Sequence, residues 1–137
     1  MRPDKASCLR PNPSDWGEVL SHLEETRGDA PAILTGARPL TWSEVSTMIR
    51  ARIEEFGRRG LGPGDRLAVH GRNGVEWVVL ATAAALSGIT LVPLNIRWSA
   101  TETRAWLVRS RTTWRADVGA DEEPGTLEAM RAVNLAG

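Results

Sequence analysis

The chain has 137 residues, 42% of them hydrophobic and 25% charged, which suits one globular domain and excludes a disordered chain. Its 17 basic and 17 acidic residues cancel, so no overall field draws it to nucleic acid or to an acidic membrane surface. Lys5 is the only lysine, and the lone Cys8 excludes an internal disulfide and any cysteine-built metal site.

Residues 1–13 read as a flexible N-terminus. Met1-Arg2-Pro3-Asp4-Lys5 leads into polar, Pro-rich sequence without the apolar core of a signal peptide, so a cytoplasmic protein is expected. A helix is expected over Trp16 to Arg27, then a hairpin with arms Ala32 to Thr35 and Arg38 to Trp42 turning at Gly36-Ala37. Thr41-x-x-Glu44 is a capping box, and behind it Val45, Met48, Ile49, Ile53 and Phe56 form one stripe of a helix over Trp42 to Arg59. Gly60 supplies a left-handed C-cap, with Leu61 folding back on the last turn. Gly62-Pro63-Gly64-Asp65 then turns into a strand over Arg66 to His70.

Asn73-x-x-Glu76 reads as the asparagine variant of the same box, opening a helix over Gly74 to Ser87 that has almost no polar face. Its run from Val78 to Leu86 is too short to span a membrane. Ile89 to Leu94 is unbroken apolar sequence, as in a parallel strand covered on both faces. Ser99-x-x-Glu102 caps a third helix, about Ala100 to Ser110, ahead of a weak strand over Thr112 to Ala116. The tail, 118–137, is acidic at first and then weakly helical in pattern. Strand, helix, strand, helix, strand predicts an α/β fold: a short parallel sheet with right-handed βαβ crossovers, plus the N-terminal helix and β-hairpin.

Three strands and three helices cannot cover both faces of such apolar elements. At ~25 cal/mol per Å², a few hundred Å² of bare apolar face costs several kcal/mol, so further protein is expected to cover this unit.

Four segments, in order, resemble a known family. They are Leu40-Thr41-Trp42-Ser43-Glu44-Val45, Gly62-Pro63-Gly64-Asp65-Arg66-Leu67-Ala68-Val69, Asn73-Gly74-Val75-Glu76-Trp77 and Leu86-Ser87-Gly88-Ile89-Thr90-Leu91-Val92-Pro93-Leu94-Asn95. They are similar to L-T-Y-x-E-L, G-x-x-P-G-D-x-V, N-x-x-E-W and K-x-G-A-x-x-V-P-L-N of the adenylate-forming (AMP-binding) superfamily. That superfamily includes acyl-CoA synthetases, peptide-synthetase adenylation domains and luciferases. The resemblance runs from about Leu20 to Asp117 and implies that 14–117 is a partial N-terminal subdomain of that fold. Trp114-Arg115-Ala116-Asp117 departs from the more apolar run usual there, and Thr103 replaces a leucine.

The implied parent reaction joins a carboxylate and ATP to an acyl-adenylate and then passes the acyl group to CoA. Pro93-Leu94-Asn95-Ile96-Arg97 resembles the P-L-N-x-R of CoA-using members, where the arginine meets CoA phosphate; Arg97 is the one candidate binding residue. ATP and CoA are thus expected of the complete enzyme, with neither held tightly by this chain alone. The family's P-K-G phosphate loop, its Y-G-x-T-E segment, its ribose-binding aspartate motif and its C-terminal lysine do not occur in these residues. No catalytic residue is therefore assigned. The chain is expected to work with the remainder of a ligase, in cis or in trans, or to self-associate through an apolar face. Alternatives are a non-catalytic docking module and a stand-alone nucleotide-binding domain.

Other candidates read as structure. Gly60, Gly62 and Gly64 follow a helix, precede a strand and lack the lysine of a phosphate loop. Gly71-Arg72-Asn73-Gly74 opens a helix and could hold an anion, but Asn73 is expected to cap it. His22 and His70 have no partners spaced for a metal, and His70 is expected to be partly exposed at the sheet edge. Of six tryptophans, Trp42 and Trp77 are expected in the core; Trp98, Trp106 and Trp114 are expected in core or interface packing rather than as a stacking surface.

Overall fold

The computed structural model describes residues 16–119 and the backbone of 126–129. The chain divides into two compact units, Met1–Thr47 and Met48–Gly137.

The first unit holds α1 (Trp16–Arg27), β1 (Pro31–Ile33), β2 (Leu40–Thr41) and the start of α2 (Trp42–Arg59). The hairpin forms, but its arms are shorter than expected: Pro31 pairs with Thr41 and Ile33 with Leu40, with a bulge between. Leu34 is exposed, and Pro39 has no N–H to give a ladder. Thr41 and Glu44 make the predicted capping box. The Glu44 N–H donates to Thr41 Oγ1 at 3.2 Å and the Thr41 N–H to Glu44 Oε2 at 2.9 Å.

The same carboxylate receives both terminal nitrogens of Arg38, at 2.8 and 3.0 Å. The Arg38 guanidinium first, then the Thr41 N–H, holds the Glu44 pKa down at about 2, from 4.5. A folded pKa below the unfolded one gives stability that is complete above pH 4.5 and is lost as pH falls toward 2. Glu44→Gln should therefore lower the melting temperature at pH 7, and the gap between variant and parent should close across that acid window. A gap independent of pH would remove the carboxylate from this account.

In the second unit α2 continues to Arg59. The predicted stripe is real at Val45, Ile49 and Phe56, which are buried. Gly60 lies at φ +82°, and the Leu61 N–H closes the helix end on the Phe56 carbonyl at 2.9 Å. Then come β3 (Arg66–Gly71), α3 (Val75–Leu86), β4 (Thr90–Leu94), α4 (Ala100–Arg109), β5 (Trp114–Val118) and β6 (Thr126–Ala129). The sheet order is β4-β3-β5-β6; β3 is parallel to β4 and β5, and β6 is antiparallel to β5.

The predicted α/β topology holds, with three corrections. β4 is an edge strand whose buried positions, Val92 and Leu94, lie on one face, while Pro93 is exposed. A proline fits there because an edge leaves its missing N–H unneeded. The weak strand expected over 112–116 is β5 at 114–118, inside the sheet. Part of the tail forms a strand, β6, where the pattern suggested a helix; the rest of the tail lies outside the described residues, as does the 1–13 segment. Antiparallel pairing with β5, from Asp117↔Thr126 to Trp114↔Ala129, decides β6.

The steps from β3 to β4 and from β4 to β5 run in opposite directions across the sheet. Right-handed crossovers therefore place α3 and α4 on opposite faces. α3 packs on β3 and β4 through Val79, Leu80, Ala83 and Ala84, while Val78 remains 43% exposed. On the other face Leu107 of α4 clusters with Ala68, Val92 and Leu94, and Trp98 packs against them.

Candidate functional site

Open parallel sheets bind ligands beyond the carboxyl ends of their strands. Among the described residues two loops meet that description, 72–74 after β3 and 95–99 after β4.

The second loop is tightly built. Asn95 Oδ1 accepts the Arg97 N–H at 2.9 Å, and the Asn95 carbonyl accepts the Trp98 N–H at 3.1 Å. Such side-chain turns are what asparagine favours after a strand. Ser99 then opens α4 with the predicted capping box: its Oγ accepts the Glu102 N–H at 3.3 Å, and its N–H donates to Glu102 Oε2 at 2.8 Å. These bonds from the Ser99 backbone and side chain hold the Glu102 pKa below its ordinary value.

Between the asparagine turn and the cap stands Arg97, exposed, with no ion pair to any described residue. A cation near the positive end of a helix dipole gains nothing for the fold, but it leaves a bidentate donor free for an anion. No sequence signal other than the family pattern pointed to Arg97, and none singled out Asn95 as its organiser.

The first loop differs from expectation. Gly74, not Asn73, is the N-cap of α3, at φ −174°, and no side chain caps it. Asn73 stands one residue too early to reach the orphan N–H groups. With the cap at Gly74, Glu76 is the second helical residue instead of the third, and its carboxylate pairs with Arg52 of α2. Arg52 also pairs with Glu55 and is 7% exposed, so the three form a nearly buried ionic cluster. No periodicity in the sequence joins residues 24 apart, so this cluster could not be read from it.

His70 lies in β3, an interior strand, rather than at an edge of the sheet. The period of two puts Ala68, His70, Arg115 and Asp117 on the α4 face. Under α4 that face is apolar; beyond it, it is ionic. His70 Nδ1 is 3.2 Å from Asp117 Oδ1, which also accepts from Arg115 Nη2 at 2.7 Å. None of the tryptophans is fully buried: Trp42 and Trp77 are half-buried, and Trp106 is 42% exposed. Among the described residues no group of His, Cys, Asp and Glu could hold a metal ion, and no helix is long and apolar enough to cross a membrane.

The fold is an α/β subdomain whose loop beyond β4 presents an exposed arginine. Residues 20–115 match the family described as AMP-binding enzyme, and the chain belongs to that family. It is 32% identical over 101 residues to the 3-[(3aS,4S,7aS)-7a-methyl-1,5-dioxo-octahydro-1H-inden-4-yl]propanoyl:CoA ligase of Rhodococcus jostii, a match covering 74% of this chain and 20% of that enzyme.

Among solved structures it is similar to O-succinylbenzoate CoA synthetase (MenE) of Bacillus subtilis in complex with AMP. There the TM-score is 0.69 at 22% identity, over 83% of this chain and 28% of that one. The N-terminal subdomain of NpsA from Klebsiella oxytoca gives a TM-score of 0.70 at 16% identity, over 85% and 28%. The chain thus spans about a fifth to a third of the relatives it matches. These likenesses favour neither the docking module nor the stand-alone nucleotide-binding domain.

Proposed function

We propose that the chain is the N-terminal portion of an ATP-dependent, AMP-forming acid–CoA ligase, cytoplasmic, acting with the remainder of that enzyme in cis or in trans. The observation that carries the reading is Arg97, an exposed, unpaired guanidinium held by a built turn beside the family's P-L-N-x-R pattern. Its place beyond β4 suits a phosphate of CoA, which a guanidinium meets with two parallel bonds at any working pH. MenE has been solved with AMP and with ATP and magnesium. For ATP, these residues contain neither the family's P-K-G phosphate loop nor its C-terminal lysine, groups suited to charge developing on an α-phosphate. Adenylation therefore falls to the remainder, and the open side of α3 at Val78 is ready to be covered by it.

The test separates the two half-reactions. The isolated chain should show no carboxylate-dependent exchange of pyrophosphate into ATP, and exchange above a blank would overturn the assignment of the chemistry to the remainder. In the complete ligase Arg97→Ala should raise the KM for CoA about ten-fold, the loss of a charged hydrogen bond worth about 1.5 kcal/mol, with adenylation unchanged. Equal losses in both half-reactions would make Arg97 structural, and no loss in either would remove it from the site.

A further inference from the structure

Because α3 and α4 lie on opposite faces of the sheet, the loops that leave the adjacent strands β3 and β4 diverge. Such a divergence opens a crevice outside the carboxyl ends of the two strands, the place where open α/β sheets hold their ligands. Its walls are the loops 72–74 and 95–99. They start level with each other, since His70 and Leu94 are register partners at the ends of their strands.

Each wall carries an arginine. Arg72 and Arg97 are both exposed, and neither has an ion pair with a described residue. The described carboxylates of the adjoining elements are already engaged. Glu76 pairs with Arg52, Glu102 accepts from the Ser99 N–H and hydroxyl, and Asp117 accepts from Arg115 beside His70. Two uncompensated guanidiniums thus flank one crevice in a chain whose formal net charge is zero. Neither gains anything for the fold where it stands, while a phosphate takes two parallel bonds from each. The wall that bears Arg97 is also fixed in advance by its bond to Asn95 Oδ1, which lowers the ordering cost of binding.

We propose that Arg72 and Arg97 form a two-point site for a ligand with two separated phosphate groups, each guanidinium taking one. CoA is such a ligand, with a diphosphate and, on its ribose, a 3′-phosphate. The choice of CoA rests on the ligase reading, which assigns Arg97 alone; Arg72 comes from the sheet topology and the charges.

The test is a titration of the 137-residue chain with CoA, dephospho-CoA and ATP, followed by the arginine Nε–H resonances, which report each guanidinium separately. CoA should shift both Arg72 and Arg97. It should bind about ten-fold more tightly than dephospho-CoA, which lacks the 3′-phosphate and leaves one guanidinium unmatched. Arg72→Gln and Arg97→Gln should each weaken CoA binding by about the same factor. Arg111→Gln is the control, because Arg111 is exposed but precedes β5, at the opposite end of the sheet; it should change nothing. Equal weakening by Arg111→Gln would mean diffuse charge attraction and would overturn the two-point site. A response of Arg97 alone would also overturn it while leaving the CoA-phosphate reading intact, and a response of neither would remove both. Tighter binding of ATP than of CoA would give the crevice to a different ligand and overturn the choice. The acidic run Asp121-Glu122-Glu123 follows β5 in the sequence. Movement of the Arg72 and Arg97 resonances on neutralising that run, with no ligand present, would make it their partner and equally overturn the site.

Discussion

Arg52→Ala should lower the stability of the chain by about 3 kcal/mol, the loss expected when one partner of a buried ionic cluster is removed. Arg52 is 7% exposed, and its guanidinium serves Glu55 on its own helix and Glu76 on α3. Without it, Glu55 and Glu76 lose a shared cation in a poorly hydrated place while their desolvation remains, although Glu55 keeps Arg59 at 3.1 Å. Much of that loss should be recovered by the double variant Arg52→Met, Glu76→Leu, because apolar groups of similar size need no partner. Urea unfolding of the parent and both variants measures this directly. A single variant as stable as the parent would mean that water satisfies the carboxylates. A double variant no better than the single would mean that packing, not charge, holds α2 to α3.

Gly71→Ala should be nearly as damaging, by about 3 kcal/mol, the upper range for forcing an atom into filled space. A Cβ at Gly71 would lie 2.3 Å from the carbonyl oxygen of Val118, its register partner in β5, and that oxygen belongs to backbone that cannot swing aside. Gly71 also sits at φ +156°, where side chains are rarely found. The variant should separate β3 from β5 at their carboxyl ends, seen as faster hydrogen exchange at Val118 than at Leu67. Gly36→Ala is the control: a Cβ there meets nothing within 4 Å, so it should change stability by less than about 0.5 kcal/mol. An unchanged midpoint for Gly71→Ala would contradict the pairing of Gly71 with Val118.

The capping residues show where local chemistry could and could not be read. Thr41 and Ser99 each have a glutamate three residues on, and in both the box closes as expected. Asn73 has the same spacing to Glu76, yet no box forms. The difference is one of register: α3 is entered at Gly74, which puts Glu76 at the second helical position instead of the third, and its carboxylate pairs with Arg52, 24 residues away. The same holds for Asp117: nothing near it in sequence announces that His70 will share its oxygen with Arg115.

By itself the sequence determined the helices α1 to α4, the parallel strands, the glycine that ends α2 and the family, because each rests on short-range steric or hydrogen-bonding rules and on ordered motifs. It also singled out Arg97, through the motif alone. Tertiary structure decided that β4 is an edge, that β5 lies inside the sheet with β6 beside it, and that His70, Arg115 and Asp117 meet on one face. It also left Trp106 in the open. Those outcomes depend on which strands pair and which faces α3 and α4 cover, and strand order is set by contacts between distant residues, of which a local pattern holds no record.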